Sequence, residues 1–100
     1  MTPQEQAEES VKALEDAKAV DVKVYDVRGK SSLADFFVVA TGAAAPHLKA
    51  LVKALPKGAY RVSGDSESGW IVADYVDVVV HVFSPEARAY YALEKLWAQP

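Results

Sequence analysis

The sequence predicts an α/β (α+β) fold, a mixed five-stranded sheet with three flanking helices in the order α-β-β-α-β-β-β-α. Three observations predict this fold. Apolar residues recur at helical spacings in some segments, they alternate or run continuously in others, and about one residue separates the last two predicted strands. A chain of 100 residues is expected to form one domain, residues 1–100, around a single core.

Each predicted helix has a start signal. Thr2-Pro3-Gln4-Glu5 fits a capping box with proline at the first helical position. The second helix is expected within Ala43–Leu55, and regular from about residue 45 because Pro46 is tolerated only in a first turn. Ser84 should cap a last helix that continues to Trp97. One apolar face of that helix is expected to hold Ala89, Tyr90, Leu93, Leu96 and Trp97, with Tyr91 nearly opposite.

The strands are predicted by their apolar patterns. Apolar and other residues alternate along Val20–Val27. This predicts a strand with Val20, Val22 and Val24 on one face and a solvent-exposed face that carries Asp21, Lys23 and Tyr25. Phe36–Ala40 is continuously apolar, as in a central strand covered on both faces. Tyr60–Ser63, Trp70–Tyr75 and Asp77–Phe83 complete the sheet, the last two as a tight antiparallel hairpin.

Composition and charge limit the classes of protein to which this chain can belong. The polar, acidic start is unlike a targeting peptide, no apolar run could span a bilayer, and cysteine is absent, so we expect a soluble cytoplasmic protein without membrane attachment. The net charge is −3, and Val62–Ala87 contains no lysine or arginine. The acidic residues in that stretch are Asp65, Glu67, Asp74, Asp77 and Glu86. Such a stretch repels phosphate backbones and favours a basic protein partner, so specific nucleic-acid binding is not expected.

Catalytic signals are incomplete. The segment from Gly29 to Phe37 resembles the start of a nucleotidyltransferase signature, in which two acidic residues are spaced by one. Here the residue two positions after Asp35 is Phe37, so a metal site with two carboxylates cannot form. His47 and His81 lie on separate elements without metal-ligand spacing. We therefore predict no catalytic residues, no metal site and no cofactor. The remaining candidates are aromatic residues of a type enriched at binding surfaces: Trp70, Tyr75 and Tyr91.

Four linked motifs carry a family resemblance. They are Asp26–Gly42, Gly69–Asp74, Asp77–Phe83 and Ala87–Trp97, and together they closely resemble the ribosomal silencing factor (Iojap-like) family across residues 10–97. The departure lies after Gly42, where Ala43–Pro46 replace residues that are usually polar in the family. That difference leaves any role of this loop in doubt.

The resemblance implies a nucleotidyltransferase-like fold without the enzymatic activity. It also implies binding to the large ribosomal subunit through large-subunit protein fourteen, so that the small subunit cannot join and translation is repressed when nutrients are short. Homodimers are a further family tendency. The motif positions expected at or supporting the contact are Trp70, Asp74, Asp77, His81, Arg88 and Tyr91; Tyr75 joins them as an aromatic candidate.

Two other readings remain open from the residues. One is a minimal metal-dependent nucleotidyltransferase or phosphohydrolase that uses Asp35 with Asp26 or Asp74. The other is a purely structural homodimerisation module with no affinity for ribosomes.

Overall fold

The computed structural model describes residues 2–97, with the side chain of Trp97 outside the described part. These residues form five strands and four helices. Their bounds are α1 Pro3–Asp16, β1 Val20–Asp26, β2 Phe36–Thr41, α2 Ala45–Ala54, β3 Arg61–Asp65, β4 Trp70–Asp74, β5 Val78–Phe83, α3 Pro85–Tyr91 and α4 Glu94–Trp97. Within residues 2–97, none of the helices has the length and apolarity that crossing a membrane requires.

The five strands form one mixed sheet in the order β1-β2-β5-β4-β3. β2 and β5 pair in parallel at its centre, with Val38 opposite Val80, and the other three pairings are antiparallel. The predicted fold class is therefore confirmed, and the element order differs from the prediction only by the additional short helix α4.

Helices α1 and α2 cover one face of the sheet. The central strands contribute alternate residues to this face, among them Val38, Val80 and Ala73, and the helices contribute Leu14 and Leu51. All five side chains are almost completely buried. The α1 helix begins with the predicted capping box, in which Thr2 and Glu5 exchange hydrogen bonds between side chain and backbone. This face holds the main hydrophobic core.

Strand β1 follows the predicted alternation only in part. The register shifts between Val20 and Lys23, and Asp21 has a φ of +53°. A shift of this kind changes which side chains face the sheet, as in a β-bulge. Of the three valines of β1, only Val22 packs against the main core, while Val20 and Val24 are exposed. β1 is an edge strand, so it has a neighbouring strand on one side only.

The prediction of one continuous last helix is wrong. Ala92 adopts a left-handed conformation with φ 49°, which ends α3 at Tyr91 and lets α4 start in a new direction. Tyr90 and Leu96, expected on a buried apolar face, are 82% and 73% exposed. The predicted place of Trp97 on that face lies outside the described side chains. Helical periodicity assumes an unbroken helix, so the break invalidates the predicted face.

Candidate functional site

The second face of the sheet is covered in two places. At one of them, Val27 and Ala34 pack against Phe37; the other lies beside α3. There, Ala87 of α3 and the half-buried Leu93 pack against Val39 and Phe83. Beside them, the described residues leave a cleft of about 660 Å³ whose floor includes Phe37 and His81. Its walls come from the β1–β2 loop, from β4 and from the α3–α4 segment: Lys30, Leu33, Trp70, Asp74, Leu93 and Leu96. We call this the open-face cleft.

Trp70 is an aromatic side chain of the cleft that is held by several contacts. Its indole Nε1–H donates a hydrogen bond to Nδ1 of His81 at 3.2 Å. Its ring centroid lies 5.2 Å from that of Phe83 and 4.8 Å from that of Tyr91. Trp70 is nevertheless only half-buried. An aromatic side chain held in one orientation with part of its surface exposed can bind a partner at little cost in conformational entropy.

His81 supports Trp70 through a hydrogen bond to its indole. Only 7% of the residue is exposed, and this burial lowers its pKa to about 4. The imidazole is therefore neutral near pH 7, with Nδ1 accepting from Trp70 and the ring edge-on to Phe37 at 5.6 Å. The lone histidine in this apolar strand orients the tryptophan that lines the cleft.

Exposed apolar side chains border the cleft. Leu33 is 79% exposed at the tip of the β1–β2 loop, and Leu96 of α4 also lines the opening. Tyr91 is half-exposed where it contacts Trp70. Exposed apolar residues grouped around a concave surface are typical of an interaction site. Sequence analysis missed Leu33, although a leucine within the polar loop from Arg28 to Asp35 was a usable signal.

The two predicted aspartates lie at the β4–β5 turn. Asp74 lines the cleft, and its Oδ1 accepts a hydrogen bond from the backbone N–H of Val76 at 2.7 Å. Asp77 is exposed, and its backbone carbonyl accepts from the N–H of Asp35 at 2.8 Å. Asp74 thus places a negative charge in the cleft wall, with Asp77 on the adjoining turn.

Tyr75 does not lie on this face. It is 7% exposed, it belongs to the core under α1 and α2, and its hydroxyl donates to the backbone carbonyl of Pro56. The expectation that Tyr75 takes part in a contact surface is therefore corrected. Strand alternation explains the error, because Tyr75 follows Asp74 and so points to the opposite face.

Arg88 is occupied by contacts within the protein. Its guanidinium donates to both carboxylate oxygens of Glu94, at 2.6 and 2.9 Å. It also donates to the Asp21 carbonyl at 2.8 Å and to Oγ1 of Thr41 at 2.7 Å. Its side chain is 12% exposed. The structure thus places Arg88 behind the cleft wall.

Two of the carboxylates considered for an enzyme, Asp26 and Asp35, lie near Arg28. Asp26 is held by Arg28 through two side-chain hydrogen bonds, which lower the pKa of Asp26 to about 2. Asp35 has an ordered backbone, hydrogen-bonded to Val27 and Asp77. Across residues 2–97, no three histidine, aspartate or glutamate side chains are grouped closely enough to hold a metal ion.

Known proteins resemble this chain along most of its length. The family profile described as "Ribosomal silencing factor during starvation" matches residues 1–100. A ribosomal silencing factor from Halalkalibacterium halodurans is 38% identical, over 97% of this chain and 89% of that relative. The mouse protein named "Mitochondrial assembly of ribosomal large subunit protein 1" is 31% identical, over 87% of this chain and 42% of that protein.

Solved structures resemble the fold as well. A crystal structure of a Chromobacterium violaceum protein has a TM-score of 0.93 at 33% identity and covers all of this chain and 89% of that one. A Bacillus halodurans structure has a TM-score of 0.82 at 37% identity, with 94% of each chain covered. The matched family, the sequence relatives and the shared fold lead to one conclusion: this chain belongs to the ribosomal silencing factor family.

Proposed function

We propose that this protein binds the large ribosomal subunit through large-subunit protein fourteen and thereby blocks joining of the small subunit. Translation would then be repressed in the cytoplasm when nutrients are limiting. The observation that carries the proposal is the open-face cleft, where Trp70 is held in one orientation and left half-exposed. Family membership supports a role at the ribosome, and the mouse relative is named for the large subunit.

The charge of the surface favours a basic protein as the partner. The stretch from Val62 to Ala87 contains no lysine or arginine, and it supplies β4, β5 and the first turn of α3. Asp74 in the cleft wall and Asp77 on the adjoining turn provide negative charge beside the apolar floor. Such charges accelerate the encounter and orient the partner, while the apolar and aromatic surface supplies most of the affinity.

The mechanism we propose is steric exclusion. The protein measures 34 × 28 × 21 Å, enough to occupy a contact area of ordinary protein–protein size on the joining surface of the large subunit. No bond is made or broken, so this function needs no catalytic group, metal ion or cofactor. Its strength depends only on affinity for the large subunit and on overlap with the position of the small subunit.

The proposal is tested by subunit association. Purified large and small subunits are mixed, and light scattering follows their joining with and without saturating protein. We expect the protein to suppress joining and to co-sediment with large subunits alone. Normal joining in its saturating presence would contradict the proposal, as would a stable homodimer without affinity for large subunits.

Reversing the charge of two aspartates tests which surface binds the large subunit. Replacing Asp74 and Asp77 together by lysine should weaken binding to large subunits at least about tenfold, because both charges would then repel a basic partner. Replacing Glu15 and Asp16, exposed at the end of α1, makes a matched control with the same change in net charge. Equal binding by the two double variants would show that the acidic side of the cleft is not the docking surface.

A further inference from the structure

We propose that Arg88 and Glu94 form a clasp that positions one wall of the open-face cleft for docking, and that Arg88 does not itself touch the partner. The wall consists of Leu93 and Leu96, and Tyr91 beside it contacts Trp70. This inference rests on the proposed function, since it assigns a role to residues around the same cleft.

The clasp joins four separate elements at one guanidinium. Arg88 on α3 binds both carboxylate oxygens of Glu94 on α4, and it also binds the Asp21 carbonyl of β1 and the Thr41 hydroxyl of β2. The hydroxyl of Tyr25 donates to Oε2 of Glu94 at 2.5 Å from the same side. A planar guanidinium that donates to three groups fixes its position more closely than a single ion pair does.

Apart from the contacts of Glu94 with Arg88 and Tyr25, little in the described residues holds α4 in place. The helix has four residues, far too few to be stable by its own hydrogen bonds. None of its described side chains is buried: Glu94 is half-buried, while Lys95 and Leu96 are exposed. The direction of α4 is set at Ala92, which has a φ of 49°. The carboxylate of Glu94 ties α4 to α3 through Arg88 and to strand β1 through Tyr25.

The position of this wall matters because the wall lies beside Trp70. Tyr91 lies 4.8 Å from Trp70, ring centroid to centroid, and Leu93 packs in the same cluster as Trp70. Leu93 and Leu96 then form the cleft lining on that side. If α4 moved freely, the wall would have to be ordered on binding, and ordering side chains and backbone lowers affinity. The clasp therefore preorganises the cleft.

The test combines affinity with amide hydrogen exchange in Arg88→Met and in the nearly isosteric Glu94→Gln. We expect Arg88→Met to weaken binding to large subunits about tenfold or more, which corresponds to about 1.4 kcal/mol. In the free protein, exchange at the amides of Lys95 and Leu96, which bond to Ala92 and Leu93, should accelerate. Exchange at the central-strand amides of Val38 and Val80 should not change. Glu94→Gln should shift both readouts in the same direction by a smaller amount, and it decides the test if Arg88→Met does not fold.

Arg28→Met is the matched control. Arg28 also forms a two-point pair with a carboxylate, that of Asp26, but its guanidinium lies over the Phe36 ring, on the opposite face of the sheet. We expect it to leave α4 exchange unchanged; its binding is not compared, because Arg28 lies in the loop that carries Leu33 of the cleft. Unaltered affinity in Arg88→Met and Glu94→Gln would overturn the inference. Weaker binding without faster α4 exchange would also overturn it, because Arg88 would then act by direct contact. Failure of the wild-type protein to bind large subunits would refute the proposed function, whereas the exchange readout would still show whether the clasp exists.

Discussion

Replacing Val76 by glycine should make this protein more stable. Val76 lies in the β4–β5 turn with a φ of +76°, a conformation that is strained for a β-branched residue. The N–H of Asp77 bonds to the carbonyl of Tyr75 across it at 3.0 Å, the hydrogen bond of a γ-turn. The side chain is 57% exposed, so its removal takes little apolar surface out of the core.

The size of the effect follows from two opposing terms. A non-glycine residue in the left-handed region costs on the order of 2 kcal/mol. Glycine avoids that strain, but its greater freedom in the unfolded chain destabilises by up to about 1 kcal/mol. The hydrogen bond from the backbone N–H of residue 76 to Asp74 is kept in the variant. A net gain of about 1 kcal/mol should raise the Tm by roughly 4–8 °C in a domain of this size.

Thermal and urea unfolding of the variant measure this gain, and Val62→Gly provides the control. Val62 is 54% exposed, nearly as much as Val76, but it lies within strand β3. In a strand, glycine increases the conformational freedom of the unfolded chain, and there is no backbone strain at Val62 for it to relieve. Val62→Gly should therefore lower stability by about 0.5–1 kcal/mol. If the two substitutions change the free energy of unfolding in opposite directions, the difference comes from the backbone conformation, because the two valines are about equally exposed. If Val76→Gly also lowered the Tm, the reasoning about strain at this turn would be refuted.

Two further predictions concern the open-face cleft and its neighbouring hairpin. Because the pKa of His81 is lowered from 6.5 to about 4, the unfolded chain binds the proton first as the pH falls, and stability should drop by about 2 kcal/mol between pH 7 and 4.5. Denaturation across that range, with NMR titration of His81, measures the drop; a flat profile would contradict the burial argument. Gly64→Ala should destabilise by at least about 2 kcal/mol, because its Cβ would lie 2.2 Å from the Trp70 carbonyl oxygen at a φ of +85°. A normal melting curve for that variant would show that the hairpin can adjust.

The central sheet could be predicted because its physical signals are local. The continuous apolar run beginning at Phe36 requires cover on both faces, and the structure buries every residue of β2. The alternation around Trp70 likewise placed Trp70 and Asp74 together on one face of β4. Strand periodicity alone decides such questions.

The C-terminal part of the site could not be predicted in the same way. The break at Ala92 has no glycine or proline to announce it. The hydrogen bonds that Arg88 makes beside it go to Asp21 and Thr41, which lie far away in the chain. The position of Leu96 follows from that break. Sequence analysis identified Arg88 as a contact candidate, but only the fold shows that its hydrogen bonds are made within the protein.

Amide hydrogen exchange of the whole chain, measured free and bound to purified large ribosomal subunits, tests the central claim most directly. We expect protection in β4, the β4–β5 turn, the loop that carries Leu33 and α4, with the exposed amides near the start of α1 unchanged. Protection confined to α1 and α2, or no protection at saturating subunit concentration, would show that the open-face cleft is not where this protein meets the ribosome.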